Sequence, residues 1–228
     1  MLQEKIIYID IETVPVIYDY NALDEKSKKF WDRKWQFNKE STPEELYKKA
    51  GIYAEFAKVI CIGYGYRTAK GFETGVFAGD DENALLKDFA HFVGKETLSH
   101  NIILCAHNGK EFDFPFLGRR YLVQGLTLPD CLQLQGKKPW EVKHLDTMEL
   151  WKFGDYKSYS SLDLLAHLFG IPSPKEDIDG SQVAAVYYEE KNLQRIADYC
   201  KRDVITLARV HARFSGLQPI EDAHVIFV

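Results

Sequence analysis

Residues 8–15, YIDIETVP, end an apolar run with two acids one residue apart, Asp10 and Glu12. The β-branched run before them reads as a strand over residues 5–12. Residues two apart on a strand point the same way, so Asp10 and Glu12 share a face with Ile6 and Tyr8 while Ile7, Ile9 and Ile11 line the other. One face thus changes from apolar to doubly acidic. Two carboxylates about 7 Å apart in a partly dry site repel by a few kcal/mol, and burial adds to that cost. The pair is either a strand end frayed into water or part of a site that holds something positive.

Beyond this strand the pattern alternates. AKVICIGYGYR and KGFETGVFAG read as two further strands joined by a glycine-bearing turn, together with the first a meander. DDENALLKDFAHFV has helical spacing, NIILCAHN reads as a buried strand, and FPFLGRRYLVQG as a helix opened by Pro115 and closed by Gly125. YSSLDLLAHLFG and NLQRIADYCKRDVITLARVHARF are helices near the end. Strands, a βα unit and then helices suit an α/β sandwich with a mixed sheet. Between the first two strands lies a polar, aromatic segment at about residues 19–49 whose STPEEL carries a capping signal, and it is expected to be a helical insertion. Its Trp31 and Trp35 either pack a small core or offer a stacking platform for single-stranded bases.

Two more acids stand in apolar surroundings. Asp113, in HNGKEFDFPFL, is flanked by Phe112 and Phe114; in isolation it reads as the N-cap of the next helix, with Asn108 and Gly109 as turn residues. On the last long helix Ile196, Tyr199, Cys200, Asp203, Leu207 and Val210 form one core-facing stripe, which places an acid in mid-stripe and a phenol one turn before it. A buried Tyr199–Asp203 hydrogen bond is the structural alternative to a functional pair. None of Asp10, Glu12, Asp113 and Asp203 has an obvious basic partner nearby in sequence. Hard oxygen donors without His or Cys suit two divalent ions, Mg²⁺ or Mn²⁺, and such a site is built for in-line phosphoryl displacement.

Composition bounds the reading. At 228 residues, 46% of them hydrophobic, the chain is expected to form one domain over residues 1–228 with a full core. No apolar run approaches a membrane span, and MLQEKIIYID lacks a signal peptide's features, so the expected setting is cytoplasmic, without a membrane partner. Cys61, Cys105, Cys131 and Cys200 are widely spaced, which argues against a disulfide or zinc framework. A net charge of −5 argues against bulk coating of nucleic acid but leaves room for a local basic groove. Basic residues cluster in KSKKFWDRKW, GRRY and GKKPWEVKH, runs that ordinarily form solvated faces or loops.

DIET at 10–13, NGKEFD at 108–113 and YCKRD at 199–203, in that order, resemble the three exonuclease motifs of the DEDD superfamily of 3′-5′ exonucleases, in the branch with Tyr in the third motif. The likeness is to the proofreading domain of family B DNA polymerases and runs over about residues 5–214, with HLDTMELWKF, SYSSLDLLAHLFGIPSPK and DGSQV also similar. It implies a ribonuclease H-like fold, a mixed central sheet flanked by helices. By the resemblance, Asp10, Glu12 and Asp203 hold the metal that activates water, Asp10 reaches a second ion and Asp113 supports it. Tyr199 orients the water, Thr13 and Asn108 help place the terminal nucleotide, and Lys175 approaches the phosphates unless it is a solvated loop lysine. Asp146 resembles a recurring acid near the site, or caps the segment after it. The expectation is a stand-alone exonuclease that releases nucleoside 5′-monophosphates from the 3′ end of single-stranded DNA. An RNA-trimming enzyme of the same superfamily and an inactive nucleic-acid-binding module are the competing readings.

Overall fold

The computed structural model describes residues 3–155, 157–172 and 177–228; Lys175 lies outside them. The first strand, β1 (Gln3–Pro15), is longer than the sequence pattern suggests and continues past both acids. It pairs antiparallel with β2 (Ala57–Thr68), which pairs antiparallel with β3 (Gly71–Ala78). After α3 (Glu82–Thr97), the strand β4 (His100–Ala106) lies parallel to β1 on its other side. Two short strands complete a mixed sheet of order β5-β4-β1-β2-β3-β6, with β5 at Leu145–Asp146 and β6 at Val225–Phe227. In the sequence HVIFV is merely an apolar run. Three edge residues carry too little periodicity to be read as a strand.

The insertion is helical, with α1 (Glu25–Trp35), α2 (Pro43–Leu46) and a 3₁₀ segment at Tyr47–Ile52. STPEEL forms the expected capping box, with Thr42 and Glu45 reciprocally bonded and Pro43 in the first turn. Trp31 is fully enclosed, its ring meeting the edges of Tyr47, Tyr53 and Phe56 and its indole N–H donating to the Pro43 carbonyl at 2.7 Å. No face of Trp31 is left for a base, so of its two expected roles the core role is the one taken.

The other helices are α4 (Asp113–Val123), α5 (Thr147–Lys152), α6 (Leu162–Phe169), α7 (Val183–Tyr188) and α8 (Leu193–Ser215). Ile7, Ile9 and Ile11 pack with α3 and α4 on one face of the sheet, while Tyr8 packs with α8 on the other. The alternation along β1 therefore sends Asp10 and Glu12 toward α8. Arg120, within the basic run GRRY, is buried and not solvated: its guanidinium donates to Glu82 at 2.8 and 2.6 Å and to the Ala54 carbonyl at 2.8 Å, joining α4, α3 and the link that leads into β2. Among the described residues no helix is long and apolar enough to cross a membrane.

Candidate active site

The contact between α8 and the sheet is set by two glycines of β2. Gly63 pairs with Asp10 and Gly65 with Tyr8. A Cβ on Gly63 would stand 2.9 Å from both Cys200 Sγ and Val204 Cγ2, and one on Gly65 3.0 Å from Val204. Without those side chains α8 lies close on the strand. Its stripe then presents Tyr199 and Asp203 to the acids of β1, and all four residues line one cleft of about 560 Å³. At Glu12 and Thr13 the β1–β2 register slips by one residue, a bulge of the kind that re-aims side chains.

Asp113 comes in from the other side of β1. The parallel pairing with β4 ends at Tyr8 and Cys105, where the chain leaves the sheet through a tight turn with Asn108 at φ 62°. Only glycine fits next, because a Cβ on Gly109 would meet Ala106 Cβ at 2.4 Å. Asp146 fixes this turn: one oxygen accepts the Asn108 N–H at 2.9 Å, the other the Lys110 N–H at 3.1 Å. It also caps α5 through Met148 N–H, so the capping role and a place beside the site are both filled by one carboxylate. Asp113 is not the N-cap that its spacing suggested. That position belongs to Phe112, without a side-chain cap, and the helix begins at Asp113, two residues before Pro115. Being the first helical residue turns the Asp113 carboxylate inward, where the Ile11 backbone N–H reaches it.

The electrostatics follow from crowding acids in a dry place. Asp10 is half-buried and Glu12, Asp113 and Asp203 are buried. Burial, and then the Asp203, Glu12 and Asp113 carboxylates, push Asp10 well above the usual carboxylate range. Burial, then Asp203 and Asp113, do the same to Glu12. Asp113 is raised to about 7, chiefly by burial, against backbone N–H groups that hold it back. Tyr199, 5% exposed, is shifted upward by burial and the charge of Asp203, to which it also hydrogen-bonds. Among the described residues no arginine or lysine pairs with Asp10, Glu12 or Asp113.

One donor atom from each of Asp10, Glu12 and Cys200 lies within 4.8 Å of the other two. The Cys200 thiol donates to Asp10 Oδ2 at 3.5 Å and to the Asp10 carbonyl at 3.4 Å, and accepts the Gly63 N–H at 3.2 Å. It steadies the Asp10 side chain, a role its apolar stripe position did not reveal. The hard donors here are the carboxylates. A set dominated by buried oxygen anions, with no arginine or lysine paired to three of them, fits Mg²⁺ or Mn²⁺. Of the other expected site residues, Thr13 lines the cleft with its hydroxyl donated to the Gly51 carbonyl at 2.7 Å. Asn108 stands in the turn and not in the cleft wall, and Lys175 lies outside the described residues.

Acids of two strand positions and a helix converge on one cleft, on a mixed sheet covered on both faces, and the class so defined is an α/β protein of ribonuclease H-like fold with an acidic cleft. Residues 52–221 match the model of a family described as a predicted 3′-5′ exonuclease related to the exonuclease domain of PolB, and the chain belongs to that family. The matched stretch leaves out β1, so Asp10 and Glu12 enter through the fold. Among solved structures, the family B DNA polymerase of the hyperthermophilic archaeon Pyrobaculum calidifontis is similar over 93% of this chain, with a TM-score of 0.58 and 18% identity. The chain spans 24% of that polymerase's length. Among curated proteins, none matches the chain.

Proposed function

We propose that the chain is a metal-dependent 3′-5′ exonuclease acting on the 3′ end of single-stranded DNA, with residues 1–228 as one catalytic domain carrying the insertion at about 19–49. The observation that carries this reading is the meeting of Asp10, Glu12, Tyr199 and Asp203 in one cleft, with Asp113 close behind. The reaction adds water across a phosphodiester: the water oxygen bonds to phosphorus, the bond to the 3′ oxygen breaks, and a nucleoside 5′-monophosphate leaves behind a new 3′ hydroxyl. Two divalent ions would supply the Lewis acidity that makes water nucleophilic and neutralises the leaving oxygen. Asp10, Glu12 and Asp203 would hold the first, and Asp10 with Asp113 the second. The Tyr199 hydroxyl orients the attacking water from beside Asp203. Thr13 and Asn108 help place the terminal nucleotide, Thr13 from the cleft wall and Asn108 from the turn behind it, and a phosphate contact by Lys175 rests on the resemblance alone. Four free cysteines, three of them buried, support a reducing cytoplasmic setting.

Matched DNA and RNA oligonucleotides, labelled at either end, test the reading in Mg²⁺, Mn²⁺ or EDTA. Shortening of 5′-labelled DNA one nucleotide at a time, abolished by EDTA, is expected. Faster loss of RNA moves the substrate to the 2′-hydroxyl-bearing strand. Binding without cleavage of either supports an inactive module.

A further inference from the structure

The cleft has a wall that the three acidic motifs do not provide. The 3₁₀ segment Tyr47–Ile52 brings Lys48, Lys49, Gly51 and Ile52 into the same cleft as Asp10, Glu12 and Asp203. These two lysines are the only cationic side chains among its described lining residues. Both are exposed, and neither forms an ion pair with a described residue; the Glu45 carboxylate lies close enough to Lys48 to feel its charge. Their backbone is nonetheless held firmly. Tyr47 is buried, with its hydroxyl donated to the Ile17 carbonyl at 2.8 Å, Ala50 is enclosed with Trp31, and the Gly51 carbonyl takes the Thr13 hydroxyl at 2.7 Å. Rigid backbone carrying free cations over a cleft floored with acids is a cation placement the fold itself does not use.

Resting on the exonuclease reading above, we propose that Lys48 and Lys49 are phosphate contacts for the strand entering the cleft, so that the insertion is a strand clamp. Divalent ions neutralise only the phosphate being cut. The phosphates upstream of it approach a region of like charge, and each needs a cation that does not cancel the metal ligands. Lysines on the opposite lip meet that need as mobile point charges. Ile52, 54% exposed at the end of the same segment, adds an apolar surface within the cleft. Cations beside an exposed apolar side chain suit a strand with bases better than a free inorganic anion.

The test compares wild type with the pairs Lys48→Ala/Lys49→Ala and Lys48→Arg/Lys49→Arg, and with Lys87→Ala/Lys95→Ala, exposed lysines of α3 outside the cleft. Binding of fluorescent dT20 is titrated against salt in EDTA, where nothing is cut. Cleavage of dT20 is compared with that of thymidine 5′-monophosphate p-nitrophenyl ester, which has one phosphate and no upstream strand. The clamp lysine pair should bind about tenfold more weakly, and the slope of log affinity against log salt should fall by about 1.4, two contacts at roughly 0.7 each. The ratio of oligonucleotide to ester kcat/KM should fall about tenfold, the arginine pair should restore both, and the α3 pair should match wild type. An unchanged slope in the alanine pair, an equal loss in the α3 pair, or no dT20 binding by wild type overturns the clamp. Wild type that cleaves neither substrate, yet loses dT20 binding and slope only in the clamp pair, removes the exonuclease reading and keeps the lysines as strand contacts.

Discussion

Tyr199 and Asp203, one helical turn apart, both face Asp10 and Glu12, and the tyrosine can serve either the water or the aspartate. If the phenol orients the nucleophile, Tyr199→Phe removes a transition-state contact but no metal ligand. Single-turnover cleavage should then slow by about tenfold or more, about 1.4 kcal/mol of barrier, with KM and metal-free melting little changed. A purely structural tyrosine would show the reverse: cleavage kept and roughly 1 to 3 kcal/mol of stability lost as buried Asp203 loses its phenol hydrogen bond. Asp113 gives the pH prediction. In the metal-free fold it titrates at about 7, against about 4 in the unfolded chain. The fold therefore binds its proton more tightly, so its stabilising contribution is full below about pH 4 and is lost as the pH rises toward 7. Asp10 and Glu12 are raised too and act in the same direction. Melting of the metal-free protein should fall between pH 5 and pH 7, and Asp113→Asn should flatten that fall; a flat wild-type profile would remove the account of the buried acids.

At the scale of elements, the site depends on how closely α8 rides on β2. Gly63→Ala would set a methyl 2.9 Å from Cys200 and Val204, beside the strand position opposite Asp10. Either the helix or the strand must shift. The expected result is a loss of about 1 to 3 kcal/mol in melting with a larger loss of cleavage, since Asp203 moves with the helix. Gly94→Ala is the control: nothing lies within 4 Å of that position in α3, and alanine there should stabilise by about 0.5 to 1 kcal/mol. Much of this was legible in the sequence. Strand alternation put Asp10 and Glu12 on the face away from Ile7, Ile9 and Ile11, helical periodicity put Tyr199 and Asp203 on the core stripe, and STPEEL marked its own helix start. The glycines of GYG were a missed signal, because two glycines two apart in an apolar strand mark close backbone approach on one face. Lys48 and Lys49 could not be placed, since a local charge pattern does not say what a lysine faces across the fold. Local spacing alone favours a cap at Asp113, because the turn that pulls it inward is held by Asp146, 33 residues later in sequence; only the motif resemblance points Asp113 to the site.

For the whole molecule, an acid cluster that holds metal only when assembled would make folding and metal binding one equilibrium. A net charge of −5 already disfavours compaction slightly, and the cleft concentrates several of those charges in a buried place. The unfolded chain disperses them and offers divalent ions no assembled site. Ions that bind only the fold add RT ln(1 + [L]/Kd) to its stability, about 2.7 kcal/mol at a hundredfold excess over Kd. Melting should therefore rise with Mn²⁺ or Mg²⁺ in a saturable way, and Asp10→Ala should lose most of that gain. In EDTA the same substitution should leave melting unchanged or raise it, because it removes a carboxylate that burial and three neighbouring acids disfavour. The opposite signs with and without metal separate a ligand from an ordinary buried aspartate, whose removal would lower melting in both conditions. If the wild-type melting temperature ignores millimolar Mn²⁺ and Mg²⁺, the carboxylates do not form a metal site in the free protein, and the inactive binding module becomes the better reading of this fold.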